Sequence, residues 1–478
     1  MNRKNGIVSL FWSSADKLLT NIITFVISII LARILNPDQY GVIATASIFI
    51  VLLSLFVEPG MTSALIQKKD SDKLDFSTIL IFNIAVGICL YIVLFFLSDI
   101  IGEWFKLPVL SSVLKILGLQ IILGGVNSVQ IAYVQKNMMF KKYFICSLSS
   151  VIVSSIVGIY IAYQGAGVWA LVVYNLLKQF INIFICYLLF KCRFCIKFSM
   201  IRFNSMFPFA GKMLFTKFID QGYVEATQTI ISKIYSSTDL AFYNKGKSFP
   251  DLIINNFNSA LSSVIFPYFS ILQDNIVELK SKIRIVVQLT SFFCMPMVMG
   301  LLACSENFVI AILTIKWKDS IPFLQLFCCY YIWVPFSNII WQSLKAIGKS
   351  NIVLKLEVIK MLLNISLLIL FLLLINSPIS IVLSIVFSIA ISFFIECCEA
   401  KKHLQYTIKE IICDFLPSFL IATIMAIIVF IIGKLNIMPI YLLLIQVAFG
   451  AVFYIFITWI LKFSQWKLIR YYFKKNDK

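Results

Sequence analysis

The sequence of 478 residues is poor in charged side chains, and histidine is almost absent from it. Charged residues make up 13% of the chain, and there is a single His, whereas a soluble domain carries about 25% charged residues. The chain contains no phosphate-binding loop, no paired carboxylates in an aqueous loop and no Ser/His/Asp set. With so few groups for acid–base or nucleophilic chemistry, we expect a protein that is not an enzyme.

Metal and redox sites have little support in the sequence. Among the twelve cysteines, Cys192 and Cys195 form one pair, but no second pair or nearby His completes a site. Cys397, Cys398 and His403 cluster near one helix end without the spacing of zinc ligands. We therefore expect free, reduced cysteines, no metal site and no cofactor.

Long apolar runs dominate what is present. Hydrophobic residues make up 60% of the chain, and runs of about 18 or more apolar residues, enough to cross a hydrocarbon core of about 30 Å, recur from end to end. Backbone amides in lipid need internal partners, and runs such as Ser366–Ile375 do not alternate as the strands of a membrane barrel would. The sequence predicts an all-α polytopic integral membrane protein.

We count about fourteen transmembrane helices, joined by loops too short to hold a soluble domain. The N-terminal run is interpreted as the first span rather than a removed signal peptide, because it lacks a small-residue cleavage site. The predicted spans are 8–34, 40–66, 78–101, 111–135, 143–163, 167–190, 206–232, 247–272, 284–304, 321–346, 352–375, 379–400, 413–433 and 438–461.

The basic residues predict the orientation of the chain. With the N-terminus in the cytoplasm, 27 of the 41 Lys and Arg residues fall in cytoplasmic loops or tails, 8 on the opposite side and 6 within spans. The net charge of +19 is thus spread over many short loops on one side. This distribution favours a membrane topology with both termini inside the cell over nucleic-acid binding.

A short polar hinge occurs twice in this apolar chain. Arg33–Asp38 ("RILNPD") ends the first predicted span, and Lys233–Asp239 ("KIYSSTD") ends the seventh. An offset of six spans preserves orientation, so the halves would be parallel repeats related by an axis along the membrane normal. We predict two six-helix bundles facing each other, at 1–195 and 196–405, followed by an extra helix pair and a basic cytoplasmic tail at 406–478.

Polar residues within the spans indicate a cavity between the two bundles. They recur at steps of three and four, so they share helix faces, and each mid-membrane charge costs about 2.5–3.5 kcal/mol unless it faces water or a partner. Lys17 and Lys217 lie 200 residues apart, the same separation as the two copies of the hinge. They therefore predict a symmetric cationic cavity, although pairing with neighbouring acids is the alternative. The cavity candidates from the residues are Lys17, Asn21, Lys217, Gln221, Asn255, Lys178 and Lys360.

Such a lining suits a substrate with an anionic group and many hydroxyls, for example a phosphorylated sugar chain, better than a hydrophobic drug cation. Four carboxylates could balance the lysines or take up H⁺ or Na⁺ during transport, and the sequence does not choose between those roles. The charge-balancing or coupling candidates are Asp16, Glu58, Asp220 and Glu225.

Four segments carry a resemblance to a known family: Ser28–Val42, Gly60–Thr78, Ala241–Ile253 and Val264–Asp274. They resemble the bacterial polysaccharide transporter family, exporters of lipopolysaccharide, capsule or teichuronic-acid units. That family belongs to the superfamily that also holds multidrug and toxin extrusion proteins and the lipid II flippase. The resemblance covers nearly the whole chain.

The resemblance implies a V-shaped fold and a flippase function. It implies alternating access that moves an undecaprenyl-diphosphate-linked oligosaccharide across the inner membrane, with membrane lipids and the polysaccharide polymerase machinery as partners. Lys17 and Lys217, and then Lys212, would hold the diphosphate, and the C-terminal helix pair would bind the lipid tail. Few Arg residues are available, so lysine ammonium groups would contact the diphosphate as point charges. The paired hydrogen bonds that an Arg guanidinium makes to phosphate would be missing.

Two other functions remain as alternatives. A multidrug exporter of the same superfamily would prefer an aromatic, acidic cavity, and the lysines argue against it. A membrane polymerase or ligase of the same pathway usually carries a long external loop with basic catalytic residues. The longest external segments here, Lys233–Phe249 and Ser305–Ile321, are short for that role.

Overall fold

A computed structural model describes residues 3–68, 70–190, 197–463 and 465–466, without the side chains of residues 3–11, Pro59 and Asp220. Regular structure in these ranges is helical, as the apolar runs predict, and includes a π-helical turn at Ile231–Tyr235 and a 3₁₀ helix at Ile315–Ser320. The α-helices are α1 (Arg3–Ile34), α2 (Pro37–Ser54), α3 (Pro59–Gln67), α4 (Lys73–Phe105), α5 (Pro108–Leu117), α6 (Leu119–Lys136), α7 (Phe140–Tyr163), α8 (Val168–Phe190), α9 (Met200–Ile230), α10 (Ser237–Ile271), α11 (Ile276–Ala303), α12 (Ser305–Ile312), α13 (Ile321–Ala346), α14 (Ser350–Leu374), α15 (Ile379–Leu404), α16 (Ile408–Ile432) and α17 (Pro439–Ile460).

Within the described ranges, twelve helical segments are long and apolar enough to cross a membrane, which makes the chain a multi-pass membrane protein. The two other predicted spans correspond to α9 and α10, which are 31 and 35 residues long but carry several charged residues each. At a rise of 1.5 Å per residue, α9 is about 46 Å long, enough to span a bilayer core. The count of fourteen stays a prediction for these two helices.

Several predicted spans are broken by Pro or Gly. The second span is divided between α2 and α3, because α2 ends at Ser54 and α3 begins at Pro59. The fourth is divided at Gly118 into α5 and α6. Proline cannot donate its backbone nitrogen, so a helix readily restarts with proline in its first turn. The break after Ser54 places Glu58 at the start of a new helix instead of mid-helix.

The chain forms two compact units, unit 1 (Met1–Ala241) and unit 2 (Phe242–Lys478). Helix α9 belongs to unit 1, where it packs on α2, α3 and α4. A Cβ on Gly60 of α3 would lie 2.6 Å from the Ala210 carbonyl oxygen of α9, so the two backbones approach closely. The predicted limits at 195/196 and 405/406 follow the repeat instead, and they stay a prediction about domains.

Each unit buries its own apolar core. In unit 1, α1, α7 and α8 pack together, and α4 packs on α5 and α6. In unit 2, α11 packs on α13 and α16, and α13 packs on α14 and α15, around a core that includes Phe269, Phe336 and Tyr406. Many large apolar side chains on the outer faces of the helices remain exposed, as expected of surfaces that contact lipid.

Both copies of the repeated hinge begin a helix with a hydrogen bond between the N-cap and N3 residues, although donor and acceptor are exchanged between the two copies. The backbone N–H of Asn36, before α2, donates to Gln39 Oε1 at 3.1 Å. Two hundred residues later, the N–H of Asp239 donates to Ser236 Oγ at 3.0 Å, and Ser236 Oγ donates to Asp239 Oδ2 at 2.6 Å. Residues at N-cap and N3 that bond to each other satisfy amides that the first helical turn leaves free. The repeated sequence therefore encodes a helix start.

Candidate functional site

A polar cavity of about 450 Å³ lies within unit 1. Helix α1 contributes Asp16, Lys17, Thr20 and Asn21 to its lining, four residues that the steps of three and four place on one face. The structure thus brings together Lys17, Asn21 and Asp16, which the sequence singles out, with Lys178 of α8.

Helix α8 lines the same cavity with a stripe of amides around its lysine. Asn175, Lys178, Gln179 and Asn182 are spaced as i, i+3, i+4 and i+7, so they share one face of the helix. Gln120 and Asn127 of α6 and the hydroxyl-bearing residues of α7 complete a lining that is mostly amide and hydroxyl. Of these residues, sequence analysis identified only Lys178. The spacing of the amides on α8 could have predicted the other α8 residues, because it places them on the same helix face as Lys178.

Hydrogen bonds hold the carboxylate of Asp16 in place. The Ser147 hydroxyl of α7 donates to Asp16, and the Thr20 hydroxyl donates to it at 3.3 Å. Lys17 and Lys178 form no ion pair within 4.0 Å in the described structure. Two ammonium groups and one carboxylate leave the lining with a formal excess of one positive charge, and both lysines retain donors for an anion.

A second cavity of about 320 Å³ in unit 1 shares Gln120 and Gln179 with the first. Its lining also includes Glu58, at the break between α2 and α3, and Gln221 of α9. A Cβ on Gly124 would lie 2.3 Å from Glu58 Oε1, so the bare glycine leaves space for the carboxylate. This second lining contains one acid and three glutamines, and it offers mostly neutral donors around Glu58.

Glu225 lies one turn beyond Gln221 on α9 and is buried. Gln221 Nε2 donates to Glu225 Oε1 at 2.6 Å, and Gln228 Nε2 donates to Oε2 at 2.9 Å. Both carboxylate oxygens therefore have amide partners on their own helix. The side chain of Asp220, the remaining predicted charge-balancing acid, lies outside the described structure.

Lys212 and Lys217 of α9 have exposed side chains and line none of the three cavities described for this chain. Lys17 lines the cavity of unit 1, so the two lysines at the offset of 200 have different surroundings within that unit. The symmetric role of Lys17 and Lys217 stays a prediction.

A third polar cavity, of about 300 Å³, lies within unit 2. A polar face of α10, which includes the predicted cavity residue Asn255, lines it with Asn255, Asn258, Ser259 and Ser262, opposite α13. Lys360 of α14 also lines it, and its Nζ lies 5.3 Å from the ring centre of Trp341. The structure therefore places Asn255 and Lys360 together in the lining of this cavity.

Metal-ligating side chains do not cluster in the described parts of the chain, where no group of three or more His, Cys, Asp or Glu residues could hold an ion. Cys192 and Cys195 lie outside the described residues. The Nε2 atom of His403 lies 3.5 Å from Glu399 Oε2.

Three proteins of known role are similar to this chain over about three quarters of its length. The lipopolysaccharide biosynthesis protein WzxC of Escherichia coli (strain K12) is 24% identical over 77% of this chain and 75% of its own. The succinoglycan biosynthesis transport protein ExoT of Rhizobium meliloti (strain 1021) is 23% identical over 74% and 71%. The teichuronic acid biosynthesis protein TuaB of Bacillus subtilis (strain 168) is 19% identical over 71% of each chain.

Solved structures share the fold. The lipid II flippase MurJ, in an inward closed conformation, matches with a TM-score of 0.69 and 17% identity over 95% of this chain and 98% of its own. An inward-facing multidrug resistance MATE transporter of the MOP superfamily matches with a TM-score of 0.62 and 12% identity, over 81% and 94%. At such low identity these likenesses establish the fold alone.

The family assignment rests on a match that covers more than half of the chain. Residues 30–322 match the family described as polysaccharide biosynthesis protein. This match confirms the resemblance carried by the hinge and by the segments that follow it. The chain belongs to the polysaccharide biosynthesis protein family.

Proposed function

We propose that this protein is a flippase that moves an anionic, lipid-linked oligosaccharide across a bacterial membrane. The observation that carries the proposal is the cavity of unit 1, where Lys17 and Lys178 lie among amides and hydroxyls with Asp16 as the one acid. Lysine ammonium groups bind phosphate as point charges, and amides both donate to and accept from sugar hydroxyls.

The finer features of the proposal come from the related proteins and from the topology. Relatives named for lipopolysaccharide, succinoglycan and teichuronic acid biosynthesis support a surface-polysaccharide unit, and we propose undecaprenyl diphosphate as its lipid carrier. The protein would act by alternating access in the inner membrane, with both termini in the cytoplasm and the polymerase machinery as a partner. Uptake of Na⁺ or H⁺ would drive the cycle, with Asp16, Glu58 and Glu225 as the described coupling candidates.

The other functions fit the lining less well. A hydrophobic drug cation would be repelled by the two lysines and would find few aromatic side chains, since Tyr143 is the one aromatic residue in that lining. A polymerase or ligase needs catalytic groups on an external loop, and the polar groups described here lie between helices. The proposal is therefore a transporter rather than an enzyme.

The test is translocation of a labelled undecaprenyl-diphosphate oligosaccharide in proteoliposomes. Wild type is compared with Lys17→Ala, Lys178→Ala, the double variant and Lys217→Ala, and with Lys316→Ala as a control lysine that lines none of the described cavities. A hydrogen bond to a charged group contributes about 1.5–3 kcal/mol, so each cavity variant should weaken substrate binding about tenfold or more. The control should match wild type.

Three outcomes of that assay would change the proposal. Absence of translocation by folded wild type with several oligosaccharides would overturn the flippase function. Full activity of the double variant would remove the cavity of unit 1 as the anion site. Loss of activity in Lys217→Ala, with Lys178→Ala unaffected, would support the symmetric pair Lys17 and Lys217 instead.

A further inference from the structure

A buried carboxylate in unit 2 lacks the hydrogen bonds that an ionised group requires. Glu396 of α15 is 1% exposed, and neither Oε1 nor Oε2 has a hydrogen-bond partner. An ionised carboxylate in such surroundings would cost several kcal/mol. The arrangement described therefore favours the neutral, protonated form of Glu396. Sequence analysis did not identify this residue.

Three polar side chains face the Glu396 carboxyl group: the Ser337 hydroxyl and Trp341 indole N–H of α13 and the Lys360 ammonium of α14. The first two point towards it without a well-aligned hydrogen bond. Ser337 Oγ and Trp341 Nε1 are both buried and make no hydrogen bond. Three adjacent side chains with unused hydrogen-bonding groups are unusual in a folded interior, and an ionised Glu396 could accept hydrogen bonds from both donors.

Lys360 is the charged group that faces Glu396. Its Nζ lies over the ring of Trp341, 5.3 Å from the centre, and it forms no ion pair within 4.0 Å with Glu396 in the described structure. A lysine held over an indole face by a cation–π contact has an alternative partner in a nearby carboxylate. The ammonium can therefore move between Trp341 and Glu396.

Several other charged groups on the helices around α15 pair with one another, and Lys345, Lys355, Glu357 and Lys401 are exposed. On α11 and α16, Arg284 Nε donates to Asp414 Oδ2 at 2.7 Å and Lys280 Nζ lies 2.7 Å from Glu410 Oε1. On α15 itself, Glu399 is paired with Lys402 at 2.7 Å and contacts His403. Lys360 thus supplies the positive charge that can compensate Glu396.

The cluster has access to water. Lys360, Ser337 and Trp341, which neighbour Glu396, all line the cavity of about 300 Å³ in unit 2, whereas Glu396 itself is not part of the lining. Asn258, which is 9% exposed and whose Oδ1 is also unbonded, lines the same cavity. The neighbours of Glu396 thus connect it to a cavity that can hold water.

We propose that Glu396, compensated by Lys360, is an exchangeable proton-binding site of unit 2. The carboxyl O–H bond breaks, and the proton passes to a water molecule in the cavity. Glu396 becomes a carboxylate, and the Lys360 ammonium leaves the Trp341 ring to pair with it, while the Ser337 hydroxyl and the indole N–H donate to its oxygens. Protonation reverses each step. A sodium ion is a poor occupant, because the ammonium of Lys360 would repel it.

Proton binding at Glu396 stands on the geometry of unit 2 alone, whereas its use to drive transport rests on the proposed function. The first test therefore needs no substrate. Infrared difference spectra of the full chain in lipid nanodiscs, recorded as the pH is raised, should show loss of a protonated carboxyl band. Glu396→Gln should lack that band. Glu399→Gln, on the same helix but in an ion pair, should keep it.

Lys360→Met provides a second variant that leaves the carboxyl in place. With the compensating cation removed, the band should disappear at a higher pH than in wild type. Emission from Trp341, identified by difference from Trp341→Phe, should change over the same pH range in wild type and stay constant in Glu396→Gln. A carboxyl band unaltered by Glu396→Gln, or a titration unaltered by Lys360→Met, would overturn the proposal.

Coupling is then measured by translocation under an imposed pH gradient. Glu396→Gln should still translocate, but the gradient should no longer accelerate it. If the gradient accelerates that variant as it does wild type, the site does not drive transport. If wild type translocates nothing while the infrared band still titrates, the proposed function fails and the proton site stands.

Discussion

The Thr238 hydroxyl donates to Asp38 Oδ1 at 2.6 Å, and these residues stand 200 positions apart in the two copies of the repeated hinge. Seven residues after Asp38 and six before Thr238, Thr45 Oγ1 and Ser232 Oγ lie 2.7 Å apart in a buried site. Thr45 donates its hydrogen to the Gly41 carbonyl at 2.9 Å, so Ser232 donates to Thr45. The two copies are thus not only similar but in direct contact within unit 1.

The buried hydroxyl pair should contribute more to stability than the exposed pair. A hydrogen bond contributes about 1 kcal/mol, and a buried group left without its partner costs about 1–3 kcal/mol. We expect Ser232→Ala to lower the apparent unfolding temperature in detergent more than Thr238→Val does. A double-mutant cycle with Thr45→Val should give a coupling energy of about 1 kcal/mol between Thr45 and Ser232. Additive effects in that cycle would show that the two hydroxyls do not interact.

The contact between the two hinges requires a glycine at position 41. A Cβ there would lie 2.3 Å from the Ser237 carbonyl oxygen, a backbone atom that cannot rotate away. We expect Gly41→Ala to destabilise the protein by about 1–3 kcal/mol, as overpacking does. Gly222→Ala, in α9, is the matched control because no atom lies within 4 Å of its added Cβ, and it should be neutral or stabilising by up to about 1 kcal/mol. Equal thermal stability of the two variants would contradict this account.

At the start of α4, two aspartates in one cluster differ sharply in burial. Asp75 has a fully buried side chain that lies 2.6 Å from Lys68 Nζ and 3.1 Å from Arg202 Nη1. Asp72 is half-exposed and caps the helix. Asp75→Asn should destabilise the protein by about 3 kcal/mol, because it breaks a buried charge pair. Asp72→Asn should cost less than about 1 kcal/mol, since Asn also caps helices well. The reverse order in thermal unfolding would contradict the assignment.

Asp72 also makes stability depend on acid pH. The backbone N–H of Asp75, and then the charge of Arg202, lower the pKa of Asp72 below its ordinary value of 3.8. Because the folded pKa is the lower one, this stabilisation is present above the unfolded pKa and is lost as pH falls through the folded pKa. The unfolding temperature of wild type should therefore fall more steeply below about pH 3.8 than that of Asp72→Asn. Parallel curves for the two proteins would rule out this contribution.

Hydropathy alone predicted most of the fold, because burial in lipid constrains every backbone amide in a span. The predicted span 321–346 matches α13 at both ends, and the Glu58-Pro59-Gly60 break appears where proline and glycine loosen the helix. Exact spans were harder to predict for α9 and α10, whose charged residues lower their hydropathy.

The candidate site was only partly predictable. Periodicity showed that Asp16, Lys17 and Asn21 share a face, and that face does line a cavity. It did not show which helix lies opposite, so the amides of α8 were missed. The offset of 200 pairs Lys17 with Lys217, but only Lys17 lines a described cavity, because the neighbours of a side chain depend on packing that a repeat does not encode. Glu396 gave no signal, because a lone acid near a helix end is usually solvated.

Gly124 offers a way to test Glu58 without changing its charge. An alanine Cβ would lie 2.3 Å from Glu58 Oε1 and 3.3 Å from Gln179 Nε2. Both atoms are at the ends of flexible side chains, so we expect Gly124→Ala to displace the carboxylate while it changes the free energy of unfolding by less than about 1 kcal/mol. If Glu58 takes part in coupling, Gly124→Ala and Glu58→Gln should both slow translocation in proteoliposomes, whereas Gly211→Ala, which has open space around its Cβ, should not. Wild-type rates in Gly124→Ala and Glu58→Gln would exclude Glu58 from the transport cycle. A large loss of thermal stability in Gly124→Ala would show instead that the Glu58 carboxylate is held rigidly.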